Sequence, residues 1–443
     1  MRIGATALGV VLLCTAGCHG CTGDDDNDPP PPAPEAPTNL AATPLGSERI
    51  DLAWTDNATN ESEFRIQRSA DGGASWTEIA RLPADSASYA DLGLVQGSAY
   101  SYRVQAVNSG GASPWAGPAS AATRVRAWTS LPTGPSPRLD HSAIYDPVGQ
   151  RMIVFGGFTG SGGTADLWEL TLPSSGLPVW TQLTASGTPP SARWGHSAIY
   201  DPVGHQMIVF GGEDGGPSLP TTVHALRLDI LSWTTLSLSG SPPGRYDHSA
   251  VYIPDPSTPR MILFGGYNRN DALGDLWELT LPASGSPAWT QLSPSGSPPG
   301  PHYSHVLVYD SLNGRLLAFG GNDGSAIGNP YDNRVWELRL NPLQWTLLSP
   351  AGSPSPRYGA AGIFDATHGR LTLFGGDDGN IPLDNALWIL GPSSWSTPAV
   401  SGILPVGRVG HSAVYDELNR RMVIFGGFDE NLIPLNDAWA LDL

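Results

Sequence analysis

The sequence contains no lysine. All 23 basic residues are arginine, set against 41 Asp and Glu, for a formal charge of -18. Schiff-base and phosphate-loop lysine chemistry is excluded at once. A basic face for nucleic acid or anionic lipid is equally out of reach at this charge. Cysteine is nearly absent: Cys14, Cys18 and Cys21 are the only three. No disulfide can brace anything beyond residue 21, so the rest of the chain must stand on its own buried core, and a chain of this size can supply one. Charged side chains make up only 14% of the whole. Past the N-terminus no segment repeats its apolar residues every 3.6 positions, which argues against helices.

What the chain has in quantity is 54 glycines, 42 prolines and 15 tryptophans, the composition of many short strands joined by tight turns. Met1-Arg2 followed by the apolar run Ile3 to Leu13 reads as a secretory signal, too short to span a bilayer. Thr15-Ala16-Gly17-Cys18 resembles a bacterial lipoprotein cleavage box, with threonine where leucine is usual. That resemblance implies acylation of Cys18; ordinary cleavage, with Cys18 and Cys21 removed or paired, is the other reading. Either one exports the protein, as a lipoprotein at the outer surface or facing the periplasm, or as a secreted chain. Asp24-Asp25-Asp26-Asn27-Asp28 and the proline-rich stretch after it form a hydrated, stiff tether. The expected divisions are a signal at 1–17, the tether at 18–35, and two folded regions at 36–124 and 125–443.

In the first folded region, strand-like runs at Ile50–Trp54, Glu63–Arg68, Trp76–Arg81 and Tyr100–Asn108 alternate with turns. Leu94, Gly97 and Tyr100 resemble the tyrosine corner of immunoglobulin-like sandwiches, and the region looks like a fibronectin type III domain. Ser69-Ala70-Asp71-Gly72-Gly73-Ala74-Ser75-Trp76 fits the Asp-box pattern of sialidase propellers. Asp-Gly-Gly between two strands is also what a hairpin turn needs, and that reading is preferred.

In the second region Phe-Gly-Gly occurs six times, its first glycines at 156, 211, 265, 320, 375 and 426. A period near fifty with strand-like flanks means a β-propeller, one blade per repeat. Each unit adds a run such as Gln206-Met207-Ile208-Val209-Phe210, apolar as befits a strand covered on both faces, and a Trp-Thr or Trp-Ser strand start. The double glycine with two spaced aromatics resembles the kelch motif, which implies a six-bladed propeller. The last repeat lacks its Trp-Thr strand and the first is preceded by a spare one, so Ala127–Leu131 is expected to complete the sixth blade beside Asp437–Leu441. The fold expected overall is all-β: a fibronectin type III sandwich followed by a six-bladed kelch propeller closed by an N-terminal strand.

Arg-x-x-His recurs at Arg138/His141, Arg193/His196, Arg245/His248 and Arg408/His411; an element repeated around a ring is expected to be structural, its polar groups satisfied by neighbouring backbone. His302, Ala360 and His224 break the pattern and mark either a functional sector or drift. The loops after the glycine pairs vary most, and topology puts them on one rim. Phe158, Asp214, Tyr267, Asp323, Asp378 and Phe428 are the candidate ligand-binding residues there, for a carbohydrate by ring stacking and hydrogen bonding or a cation by oxygen ligands; the same Asp residues are also common turn formers. A galactose oxidase-like copper-radical site needs a cysteine crosslinked to tyrosine, and the repeat region has no cysteine. No nucleophile elbow, HExxH or phosphate loop occurs. The expected role is therefore that of an exported, tethered, non-catalytic binding or adhesion protein, a monomer without cofactor or metal. Its rim would meet a protein or glycan, and it would meet membrane only through a lipid anchor. The alternative is a carbohydrate-acting enzyme resembling sialic acid mutarotases, on the same rim.

Overall fold

The computed structural model describes residues 30–443 except 257, 283–284, 327 and 381–382. The signal segment, Cys18 and the acidic run lie outside the described residues. Among those described there is no helix, and so none that could cross a membrane.

Two sheets make up the first folded region. Thr38–Pro44, Arg49–Thr55 and Ser88–Leu92 pair in one; Thr77–Pro83, Glu63–Ser69, Ala99–Asn108 and Gly111–Ala112 pair in the other, with Ala116–Ala122 added to Ala99–Asn108. Alternate residues of these strands point inward, and Leu52, Trp54, Phe64, Ile66, Tyr102, Val104 and Ala106 are all buried. The Asp-box segment is a hairpin turn joining Glu63–Ser69 to Thr77–Pro83. Asp71 accepts from the Ser69 and Ser75 hydroxyls and the Ser75 amide, and Trp76 packs under the Arg103 guanidinium.

The repeats form six sheets, each built on four antiparallel strands stepping outward, two of them with a further two-residue strand, Ser186–Gly187 or Ser295–Gly296, added in parallel at the outer edge. The first contains Ser142–Asp146, Arg151–Phe155, Leu167–Thr171 and Trp180–Leu183; the last contains Ser412–Asp416, Arg421–Phe425, Ala438–Asp442 and then Trp128–Ser130 from the start of the region. Trp128–Ser130 is antiparallel to Ala438–Asp442, with Trp128 opposite Leu441. In every second strand the last four residues are buried, because neighbouring sheets cover both faces. First strands of successive sheets are neighbours, and that of the last sheet lies beside that of the first. The arrangement is a β-propeller.

Between sheets the same contact recurs six times. The phenylalanine of each Phe-Gly-Gly packs on the fourth-strand tryptophan of the next sheet: Phe155 on Trp233, Phe210 on Trp289, Phe264 on Trp345, Phe319 on Trp395, Phe374 on Trp128 and Phe425 on Trp180, at 4.8 to 5.3 Å between ring centres. Each such pair adds about 0.5–1.5 kcal/mol beyond its buried area.

At the axis, six backbone hydrogen bonds join the repeats in a closed circle. The amide of Asp140 donates to Gly410, Gly195 to Asp140, Asp247 to Gly195, Ser304 to Asp247, Gly359 to Ser304, and Gly410 to Gly359, all at 2.7 to 3.0 Å. All six residues have φ between 51° and 67°, a left-handed conformation that suits the glycines and that Asp tolerates better than most residues.

Candidate functional site

The two fixed residues of Arg-x-x-His do structural work. Each arginine donates through Nη1 to the carbonyl of its repeat's first glycine: Arg138 to Gly156, Arg193 to Gly211, Arg245 to Gly265, Arg357 to Gly375 and Arg408 to Gly426. In four of these repeats a carboxylate also pairs with the guanidinium: Asp166, Asp275, Asp384 or Asp437. In the fourth repeat His302 stands in, with Nε2 3.1 Å from Asp332. The second repeat differs. His224 lies opposite Val209 as Trp168 lies opposite Val154, so Thr222 occupies the place of Asp166. Arg193 is 2% exposed and bonds only neutral oxygens, those of Ser191 and Gly211. Burial lowers its pKa to about 10.

The histidines join neighbouring sheets. His141, His196 and His248 reach Ser412, Ser142 and Ser197 through Nε2, while the imidazoles stand edge-on to the phenylalanine of the preceding sheet. Burial holds His196, His305 and His411 at about 3, so these rings are neutral at physiological pH. The series breaks in one sector. Ser249 turns its hydroxyl to the His305 carbonyl instead, and the serine that would meet His411 is Ala361. His305 and His411 therefore keep both ring nitrogens without a partner.

The second of the two variable residues in each Arg-x-x-His carries the backbone circle. The residues just before it, Leu139, Trp194, Tyr246, Tyr303, Tyr358 and Val409, bridge to Phe158, Glu213, Tyr267, Asn322, Asp377 and Phe428 at the start of the variable loops. The collar of the central channel and the loops thus share one face. Aromatic rings follow one another around much of it. Phe158 meets Trp194 at 5.3 Å; Tyr267 lies between Tyr246 at 5.7 Å and Tyr303 at 5.1 Å; Tyr331 meets Tyr358 at 4.9 Å. All are half-buried and so present one edge or face to solvent.

Below the collar a cavity of about 140 Å³ is lined by Asp140, Asp247, Ser304 and the histidines. Asp140 and Asp247 are half-buried side chains of the backbone circle, and neither has an ion-pair partner among the described residues. Burial in the throat raises Asp140 to about 7, and burial together with the charge of Asp140 raises Asp247 well above the carboxylate range.

The candidates read from the sequence fall into two groups. Phe158 and Tyr267 belong to the aromatic arc, and Phe428 is half-buried where its loop bridges to Val409 and Pro434. Asp214, Asp323 and Asp378 turn back into their own loops, accepting from the amides of Gly216, Ser325 and Asn380; Asp214 and Asp378 also accept from Ser191 and Ser355. Sequence reasoning missed Trp194, Tyr246, Tyr303, Tyr358, Asp140 and Asp247. The available signal was variation inside an otherwise fixed motif.

The family described as the KLHDC2/KLHL20/DRC7 kelch-repeats domain matches residues 120–243 and 201–390, together more than half of the chain. The fibronectin type III domain matches residues 35–122. Among curated proteins, the flagellar outer-arm dynein alpha chain of Chlamydomonas reinhardtii is 28% identical over 66% of this chain and 7% of its own length. The leucine-zipper-like transcriptional regulator 1 homolog of Drosophila melanogaster is 28% identical over 65% of this chain and 29% of its own. The F-box/kelch-repeat protein At1g51550 of Arabidopsis thaliana is 27% identical over 68% of each. This chain spans less than a third of the first two. With the double glycines, the recurring arginine and the outward-stepping four-stranded sheets in place, the chain belongs to the kelch-repeat family, with a fibronectin type III domain ahead of the repeats.

Proposed function

We propose that this protein is an exported, surface-tethered, non-catalytic binding protein whose ligand, a polypeptide or glycan, seats on the mouth of the propeller channel. Kelch repeats and fibronectin domains are protein-binding modules, and that coarser assignment follows from family membership. The observation that carries the finer reading is the arc of aromatic rings from Phe158 to Tyr358, gathered with the variable loops on one face. Exposed aromatic faces over a polar floor suit stacking ligands, and such rings dominate the energetics of binding surfaces. Screening the full chain on peptide and glycan arrays should give hits that Trp194→Ala and Tyr303→Ala abolish. Hits insensitive to both substitutions would place the ligand elsewhere.

Export and tethering rest on the signal-like N-terminus and Cys18. Cell fractionation tests them: the intact chain should sediment with membranes and Cys18→Ala should be released. The enzymatic alternative draws on one feature, Asp140 near neutrality, which suits a proton donor and acceptor at a sugar ring. Turnover of reducing sugars that Asp140→Asn abolishes would favour it over the binding module.

A further inference from the structure

The throat holds two carboxyl groups, Asp140 and Asp247, and no arginine among its lining residues. The Oδ1 atom of Asp247 lies 2.5 Å from where a Cβ on Gly195 would stand, and that of Asp140 equally close to a Cβ on Gly410, so each carboxylate fills the space its neighbouring glycine leaves. Every arginine of the repeated motif is committed to its own repeat's glycine carbonyl, and none lines this cavity. His305 and His411, 6% and 7% exposed, line the same cavity with both ring nitrogens unpartnered. Unsatisfied buried polar atoms of this kind call for something to bond. Trp194, Tyr246, Tyr303 and Tyr358 each precede a member of the backbone circle, Tyr246 and Tyr303 close enough to Asp247 to feel its charge, and such ring faces attract cations.

We propose that the throat is a receptor for one cationic side chain, lysine or arginine, presented by a partner polypeptide. This rests on the reading of the channel mouth as the binding face. A compact metal ion fits the donor set poorly. Among the described residues the only three acidic or histidine ligand atoms clustered within 4.8 Å belong to Asp56, Glu61 and Asp85 in the fibronectin domain, not to the throat. A neutral sugar would leave the two carboxyl groups to share their protons as they do alone, whereas a cation between them offsets the repulsion that opposes ionising both. An alkyl cation meets the open features in turn: its stem passes the aromatic collar, its charge settles between Asp140 and Asp247, and its N–H groups reach their carboxyl oxygens and the Ser304 hydroxyl. The chain's charge of -18 draws such a partner in.

The test compares three capped tripeptides, acetyl-Gly-X-Gly-amide with X lysine, arginine or norleucine, titrated into the full chain at 150 mM salt and followed by calorimetry. Lysine or arginine should bind at least 10-fold more tightly than norleucine, which has a similar shape without the charge. The double variant Asp140→Asn/Asp247→Asn should erase that preference while its melting temperature shows it folded. Equal affinity for lysine and norleucine would overturn the proposal, as would a preference that survives the double variant. So would calcium binding tightly at the throat and being lost with the same carboxylates. If array ligands still depend on Trp194 and Tyr303 but are indifferent to Asp140 and Asp247, the binding face stands and the cationic receptor falls.

Discussion

Replacing Thr222 with aspartate should stabilise the propeller. In the first repeat Asp166 holds Arg138 with two parallel bonds of 2.7 and 2.8 Å, and the same residue accepts from the Trp168 indole. Burial alone would push that carboxyl up, but the Arg138 and Trp168 bonds outweigh it and keep it below the usual range. The second repeat keeps the arginine and has lost the acid. Burial brings Arg193 from 12.5 to about 10; at ~1.4 kcal/mol per unit, keeping that charge costs roughly 3 kcal/mol. An aspartate at 222 must itself be desolvated, so a bidentate pair should recover about 1–2 kcal/mol of this. For a unit of this size that is roughly 2 to 3 °C in melting temperature. The mirror experiment, Asp166→Asn, strands Arg138 and should cost about 3–5 kcal/mol. Scanning calorimetry on both variants is the assay. A Thr222→Asp chain that melts at or below the parent temperature would refute the view that these carboxylates neutralise a buried charge. A mild Asp166→Asn would do the same.

The same geometry dictates other outcomes. Asp140 and Asp247 have raised pKa values, so between about pH 4 and 7 the folded state holds more protons than the unfolded one and stability falls as pH rises. Asp140→Asn should therefore gain more over the parent at pH 7.5 than at pH 5, by about 1–2 kcal/mol after allowing for partial exposure; denaturant titration at the two values decides it. Trp128 is 5% exposed and rests on Phe374 at 5.0 Å, so Trp128→Ala should cost about 3–5 kcal/mol. A loss under 1 kcal/mol in chemical unfolding would mean that Trp128–Ser130 is an ornament on the last sheet. Ala361→Ser should return a hydroxyl to His411 and raise stability by about 0.5–1.5 kcal/mol, with an unchanged melting curve counting against the inter-sheet bond.

The sequence exposed the architecture because the Phe-Gly-Gly runs and the tryptophans answer to local and nearest-neighbour forces. A strand covered on both faces must be apolar at consecutive positions, as Met152 to Phe155 is, and a wedge between sheets must be filled by something as large as Trp233. Arginine pairing with Asp166, Asp275 and Asp437 was legible in principle, since each aspartate sits two residues before a third-strand tryptophan. The throat was not. Asp140 and Asp247 belong to different repeats and face one cavity only because the sheets are arranged around an axis, a long-range fact that no local window contains. The rim aspartates are ambiguous in sequence for the opposite reason: Asp323 and Asp378 follow double glycines, where turn geometry recruits Asp whatever the ligand, and both accept from amides of their own loops.

The circle of six amide-to-carbonyl bonds from Asp140 to Gly410 bears on how such a molecule can change by duplication. Every unit donates to one neighbour and accepts from the other, so gaining or losing a single copy forces all the remaining joints to new angles at once. Copy number is thereby frozen, and variation is steered into the residues that hang from the hoop: glycine at three places, serine at one, aspartate at two. Specificity can then drift by point substitution at the hub while the frame stays intact.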